Sequence, residues 1–190
     1  MNQEPRRLVV GVSGASGANL AVRLLKAMQA QPDWETHLVI TEGARCTLAY
    51  ESATSPDELE AMASRTHCLR DIGASIASGT FRTEGMVVIP CSMKTLAGVA
   101  HGYSDNLLLR AADVTLKERR KLVLVAREAP LNVIHLRNML DLATQGVVIM
   151  PPVLTSYNGP ASVGDVEDHI VGKVMSEYGM EYARFSRWKG

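Results

Sequence analysis

Leu8-Val9-Val10-Gly11-Val12-Ser13-Gly14-Ala15-Ser16-Gly17-Ala18 decides the fold. The run from Leu8 to Val12 is apolar and valine-rich, without polar alternation, and predicts a strand buried on both faces. The small residues from Ser13 to Ala18 predict a tight turn. Behind them Leu20, Val22, Leu24, Leu25 and Met28 predict a helix with a wide apolar face.

The same alternation continues outward. Thr36 to Thr41 reads as a second strand and Glu42 to Glu51 as a helix. Ser55-Pro56-Asp57-Glu58 is a helix start, with serine as cap, proline at the first helical position and glutamate at the third, and this helix is expected to reach Ser64. Met86 to Pro90 is a strand, followed by a helix to His101. Asp105 to Arg119 is a helix, Leu122 to Val125 a strand and Leu131 to Thr144 a helix. Val147 to Met150 is a strand stopped by Pro151-Pro152, and Ser162 caps a last helix to Tyr178. Thr66 to Thr83 is least legible, with Ala74 to Thr80 expected as an ordered loop or short helix near a site. The expected fold is α/β, a three-layer, doubly wound, mostly parallel sheet of Rossmann-like type, in one domain over 1–190. Such sheets bind ligands at the carboxyl ends of their strands.

The bulk composition restricts the function classes. Lys+Arg and Asp+Glu each number 20, so no global basic field attracts nucleic acid. Apolar residues make up 46% and charged residues 21%, ordinary for a globular domain. Net neutrality leaves little charge repulsion against a homo-oligomer. The three cysteines, Cys46, Cys68 and Cys91, form no C-x-x-C pair and fit a reducing cytoplasm. The polar stretch from Met1 to Arg7 has no signal-peptide core, and no apolar run approaches a membrane span.

Four segments carry candidate chemistry. Gly14-Ala15-Ser16-Gly17-Ala18 lets backbone approach a ligand, with the free N–H groups of the next helix behind it; the spacing from Gly11 is neither a dinucleotide fingerprint nor a P-loop, and a plain tight turn explains it equally well. Pro90-Cys91-Ser92-Met93-Lys94-Thr95 places hydroxyls and a lysine where a strand gives way to a helix, with Ser92 expected as cap and Cys91 as buried packing. Arg110 and Lys117 lie seven apart on one helix face, Arg119-Arg120 reads as a solvated helix end, and Arg127-Glu128 follows a strand directly, an ion pair at the functional rim. Tyr157 and Lys173 supply a phenol and an ammonium suited to phosphate. Histidines 37, 67, 101, 135 and 169 have no metal-site spacing, and Trp34 and Trp188 are isolated; all seven read as structural or exposed.

Together these segments resemble the UbiX-like flavin prenyltransferases and the related aromatic-acid decarboxylase subunits. The matching stretches are 11–18, 35–41, Pro90 to Leu96, 110–128, 134–139 and Met150-Pro151-Pro152 followed by Tyr157-Asn158 and Pro160. They occur in the family's order across nearly the whole chain. The resemblance implies transfer of a dimethylallyl group from dimethylallyl monophosphate to N5 and C6 of reduced FMN, without metal, giving a prenylated flavin for a UbiD-type decarboxylase. It implies a homododecamer with sites at subunit boundaries. It implies flavin contacts from Gly14, Ala15, Ser16, Thr41, Ser92, Met93, Lys94, Thr95 and Arg127, and phosphate contacts from Arg110, Lys117, Tyr157 and Lys173. Ser16, Glu51 and Glu128 take the catalytic positions: Ser16 orients the flavin, and either carboxylate is the base.

The chain departs from the family pattern at Thr41, where serine is more frequent, at Lys173, where several members carry arginine, and over 153–159. Two other readings share the fold or the ligand. FMN-dependent decarboxylases of the peptidyl-cysteine and phosphopantothenoylcysteine type carry Ala-Asn where Met93-Lys94 stands, and a Pro-x-Met-Asn-x-x-Met-Trp segment in the region that Arg127 to Asn132 occupies here. A non-catalytic flavin carrier would bind FMN without turnover.

Overall fold

The computed structural model describes residues 4–188, so positions 1–3 of the polar lead lie outside the described residues. One all-parallel sheet runs in the order β3-β2-β1-β4-β5-β6. Its strands are β1 (Arg6–Val12), β2 (Trp34–Ile40), β3 (Arg65–His67), β4 (Gly85–Cys91), β5 (Lys121–Ala126) and β6 (Val148–Ile149). The order reverses between β1 and β4, which opens a crevice beyond their carboxyl ends.

Among the described residues seven α-helices cover the sheet: α1 (Ala18–Met28), α2 (Glu42–Glu51), α3 (Pro56–Ala61), α4 (Met93–Ala100), α5 (Leu107–Lys117), α6 (Val133–Thr144) and α7 (Val163–Glu177). On one face Leu24, Leu25, Leu48 and Val171 pack against Val10, Val12 and Leu38. On the other, Leu96, Leu108 and Leu142 pack against Val9, Met86 and Val88. Successive side chains of β1 therefore enter opposite cores, as the two-residue period of a strand requires. Each fully buried leucine or valine contributes about 1.5–3 kcal/mol relative to exposure, and the burial of β4 at every position explains its unbroken apolar sequence.

The helix starts follow their caps. Ser55 accepts the Glu58 N–H while the Glu58 carboxylate accepts the Ser55 N–H, at 3.2 and 2.7 Å. Ser162 and Asp165 repeat the arrangement at α7. Helix α3 ends at Ala61 rather than Ser64, because Ser64 exchanges hydrogen bonds with Thr36 of β2, each 3.0 Å, and turns the chain into β3. Strand β3 itself has no apolar run, which is why the sequence did not announce it. Ser75–Ala77 forms the expected short helix, a single 3-10 turn anchored by buried Ile76. Proline at position 90 sits in a central strand because the register shifts between Val88 and Cys91, which frees it from the regular ladder. Among the described residues no helix is long and apolar enough to cross a membrane.

Candidate active site

Two turns meet at the reversal of strand order, and Ser13 joins them. Its buried hydroxyl donates to the Pro90 carbonyl at 3.1 Å and accepts the Ser92 N–H at 2.8 Å. Local pattern shows Ser13 only as a turn residue; its role as the strut between the β1 and β4 turns depends on strand order.

Gly14 is bare for a steric reason. A Cβ there would lie 2.8 Å from the carbonyl carbon of Gly43, so two backbones, the turn after β1 and the first turn of α2, touch directly. Gly43 was not singled out in the sequence, although a glycine in the first turn of an otherwise ordinary helix was the available signal. Gly17 caps α1 in the left-handed region, φ 101°.

Glu51, the last residue of α2, reaches across to α1. Its Oε2 accepts the N–H of Gly17 at 2.8 Å and of Ala18 at 3.2 Å, next to Ser16 in the chain. Partial burial opposes ionisation. The Ser16, Gly17 and Ala18 hydrogen bonds and the charge of Arg127 outweigh it and hold the carboxyl below its ordinary value. Glu51 is thus an ionised group that closes a helix end beside Ser16.

On the β4 side Ser92 caps α4, accepting the Thr95 N–H at 3.3 Å and donating to Thr95 Oγ1 at 3.2 Å. The first intrahelical bond of α4 is made by Leu96, so the N–H groups of Met93 and Lys94 stand at an open helix N-terminus suited to an anion or a polar ring edge. The Met93 side chain is buried in the core, so only its backbone can serve a ligand; Lys94 is exposed. Thr41 caps α2 by accepting the Ala44 N–H at 3.1 Å, which leaves its hydroxyl proton free to donate. The thiol of Cys91 is fully buried and pushed up by that burial, in keeping with packing.

Arg127 stands at the end of β5, its N–H bonded to the Cys91 carbonyl at 3.0 Å, and its charge reaches Glu51. Glu128 does not pair with it. Among the described residues no ion pair joins the two: adjacent side chains beyond a strand diverge, and the exposed Glu128 accepts the Ala129 N–H at 3.0 Å instead. The solvated reading holds for the exposed Arg119 but not for Arg120. Arg120 donates to the carbonyls of Gly79, at 2.6 Å, and Phe81, at 2.9 Å, and so holds the loop before β4.

Tyr157 and Lys173 come together. Both line a groove of about 560 Å³ beyond β6, with His169, Phe185 and Trp188. Trp188 is therefore part of the groove wall, its ring 5.4 Å from that of Tyr157. Arg110 and Lys117 share a face, as their spacing requires, and both meet the loop around 77–79. They do not reach the groove within one chain. Arg110 pairs with Asp113 at 2.6 Å, and Lys117 pairs with Glu118 at the end of α5, which delivers the chain to the amino edge of the sheet.

The comparisons agree with this architecture. The Flavoprotein family model matches residues 1–175. The flavin prenyltransferase UbiX of Escherichia coli strain K12 is 51% identical over 187 residues, covering 97% of this chain and 99% of that protein. A dodecameric, FMN-dependent UbiX-like decarboxylase of Escherichia coli O157:H7 superposes with a TM-score of 0.96 at 50% identity, over 97% of this chain and 100% of that one. AnUbiX (PadA1), solved in complex with FMN and dimethylallyl pyrophosphate, superposes with a TM-score of 0.96 at 46% identity over 98% of each chain. A chain with this strand order, this crevice and this degree of identity along its length belongs to the flavoprotein family and, within it, to the UbiX-like flavin prenyltransferases.

Proposed function

We propose that this chain transfers a dimethylallyl group from dimethylallyl monophosphate to reduced FMN. The observation that supports this most directly is the crevice at the strand-order reversal. There the bare turn at Gly14 and the open N-terminus of α4 meet through the Ser13 strut, beside the end of β5 where the Arg127 N–H binds the Cys91 carbonyl and its charge acts on Glu51. Those residues fit FMN: glycine for close approach of a flat ring, helix N–H groups and hydroxyls for its polar edge, a cation for its charge. Reduced FMN, when bound, supplies the electron-rich ring atoms N5 and C6 that take the prenyl group.

The chain's own residues do the rest. Ser16, at the turn that Glu51 closes through the Gly17 and Ala18 N–H groups, offers its hydroxyl to the flavin. Glu51 is ionised and takes a proton as the ring is closed. Lys173 and Tyr157 hold the phosphate and stabilise the negative charge that develops as the allylic C–O bond breaks. Phe185 and Trp188 give that groove an apolar wall that keeps water from a carbocation. Arg110 and Lys117 join the phosphate site from a second copy of the chain, within a homododecamer. Lysine at 173 keeps the charge but not the bidentate fork of arginine, so phosphate binding is weaker than with arginine. The reaction is placed in the cytoplasm, in keeping with the free thiols of exposed Cys46 and Cys68. Its product serves a UbiD-type decarboxylase.

The test is anaerobic incubation of the purified protein with FMN, a reductant and dimethylallyl monophosphate, with the flavin then analysed by mass. Prenylated FMN at many turnovers is expected. Unchanged FMN under these conditions overturns the reading, and a single bound flavin without turnover identifies a carrier.

A further inference from the structure

His169 stands one helical turn before Lys173 on α7 and lines the same groove. Its ring lies between Tyr157, 6.1 Å between centroids, and Phe185, 5.2 Å. Its Nδ1 is 3.3 Å from the amide nitrogen of Asn158. If that nitrogen donates, Nδ1 is bare and the imidazole is neutral, with its proton on Nε2. The other end of the same amide, Asn158 Oδ1, is then buried with no hydrogen-bond partner. Turned over, the amide would offer Oδ1 to a protonated Nδ1, and the ring would carry both protons. The pair thus holds an acceptor that the neutral ring leaves unused.

We propose that His169 is a further substrate-binding residue of this groove, protonated as the phosphate of the prenyl donor arrives and held in that form by Asn158. The inference rests on the reading of the groove as the prenyl-phosphate site. Its proton comes from solvent, so binding takes up a proton and no covalent bond changes. The groups around the ring favour this sequence. Lys173 on α7 and Arg187 on the C-terminal segment are cations that oppose protonation while the groove holds no anion. Burial and Lys173 keep the imidazole below its ordinary value in the free protein. Tyr157 presents an aromatic ring edge-on to the imidazole. Behind Asn158, a neighbouring recess holds Asp165, Asp168 and Arg184. Asp168 is already engaged by Arg23 at 2.9 Å, Tyr182 at 2.8 Å and Arg184 at 3.2 Å. Asp165 caps α7, accepting the Ala161 and Ser162 N–H groups, each 2.9 Å. Neither carboxylate offsets the Lys173 charge at the ring. A phosphate dianion does.

The experiment is isothermal titration of the FMN-loaded oligomer with inorganic phosphate at pH 7.5, in two buffers of different ionisation enthalpy, which counts the protons taken up. The wild-type protein is expected to take up about half a proton or more per site beyond His169→Gln. The variant is expected to bind phosphate roughly tenfold more weakly. Asn158→Asp supplies a second test: an adjacent carboxylate protonates the ring beforehand, so uptake falls below that of the wild type. Equal proton uptake in all three proteins, or no phosphate binding by any, overturns the proposal. Failure to prenylate FMN would sink the functional reading while leaving the proton count of this site standing.

Discussion

Glu51 Oε2 lies 2.8 Å from the backbone N–H of Gly17, so the last residue of α2 closes the first turn of α1. The same carboxylate accepts the Ala18 N–H and feels Arg127, which makes one side chain both a helix cap and part of the crevice. Glu51→Ala should lower the melting temperature by about 2–4 °C, the effect of losing about 1 kcal/mol of capping in a chain of this size. The folded carboxyl titrates below the ordinary 4.5, so its contribution is present above that value and fades as the pH falls through the folded value. The stability gap between wild type and variant should therefore close in acid, as denaturant titrations at several pH values would show. Glu51→Gln should retain FMN and slow prenylation at least tenfold; a wild-type rate would remove Glu51 from the chemistry.

Gly14→Ala should cost the protein its flavin. The added methyl would sit 2.8 Å from the Gly43 carbonyl carbon, and neither backbone can retreat without moving α2. The flavin-to-protein absorbance ratio after gel filtration should drop at least several-fold. Full FMN retention would mean that the close approach serves packing alone.

Lys173→Ala should raise the KM for dimethylallyl monophosphate about tenfold or more with FMN binding unchanged, since the residue lines the Tyr157 groove and not the crevice. Lys173→Arg should lower that KM below the wild-type value if the missing fork is what limits phosphate grip. Steady-state rates at limiting donor check both.

Lys117 lies at the far edge of the sheet from the strand ends, and Lys173 lines the groove beyond β6. Lys117→Ala and Lys173→Ala proteins should each be weak alone. Co-expressed and co-assembled, they should recover up to about a quarter of wild-type activity, because random mixing gives that share of sites both intact halves. No recovery would mean that Lys117 acts within its own chain or not at all.

His37 is buried with its Nδ1 3.0 Å from His67 Nε2, while its own Nε2 has no hydrogen-bond partner and lies 3.9 Å from Glu35 Oε2. Burial first, then the neighbouring His67, drives the His37 imidazole down to about 4. Its folded value lies below the unfolded 6.5, so the unfolded chain binds the proton more readily and stability falls as pH drops from 6.5 toward 4. The slope should approach about 1.4 kcal/mol per pH unit from this residue. His37→Phe should flatten it in urea titrations at graded pH.

Much of the fold was legible because its signals are local. The Leu8 to Val12 run, the Ser55 and Ser162 caps and the Pro151 stop each act within a few residues, and each appears in the structure near its expected bounds. Strand β3 was not legible, because Arg65–His67 is an edge strand with no apolar pattern, held by Ser64 and Thr36. Trp188 and His169 looked bland because nothing near them in sequence shows that the C-terminal segment returns against α7.

By itself the sequence determined the alternation of strand and helix, the buried character of the sheet and the turns at which a ligand could bind, since periodicity, caps and small residues act through neighbours in the chain. Only the tertiary structure decided that Ser13 bridges to Ser92, that Glu51 meets Gly17, that Glu128 binds the Ala129 N–H and not Arg127, and that Lys117 and Lys173 stand apart. Those relationships follow from strand order and register, which bring together residues tens of positions apart, and no local pattern carries that information.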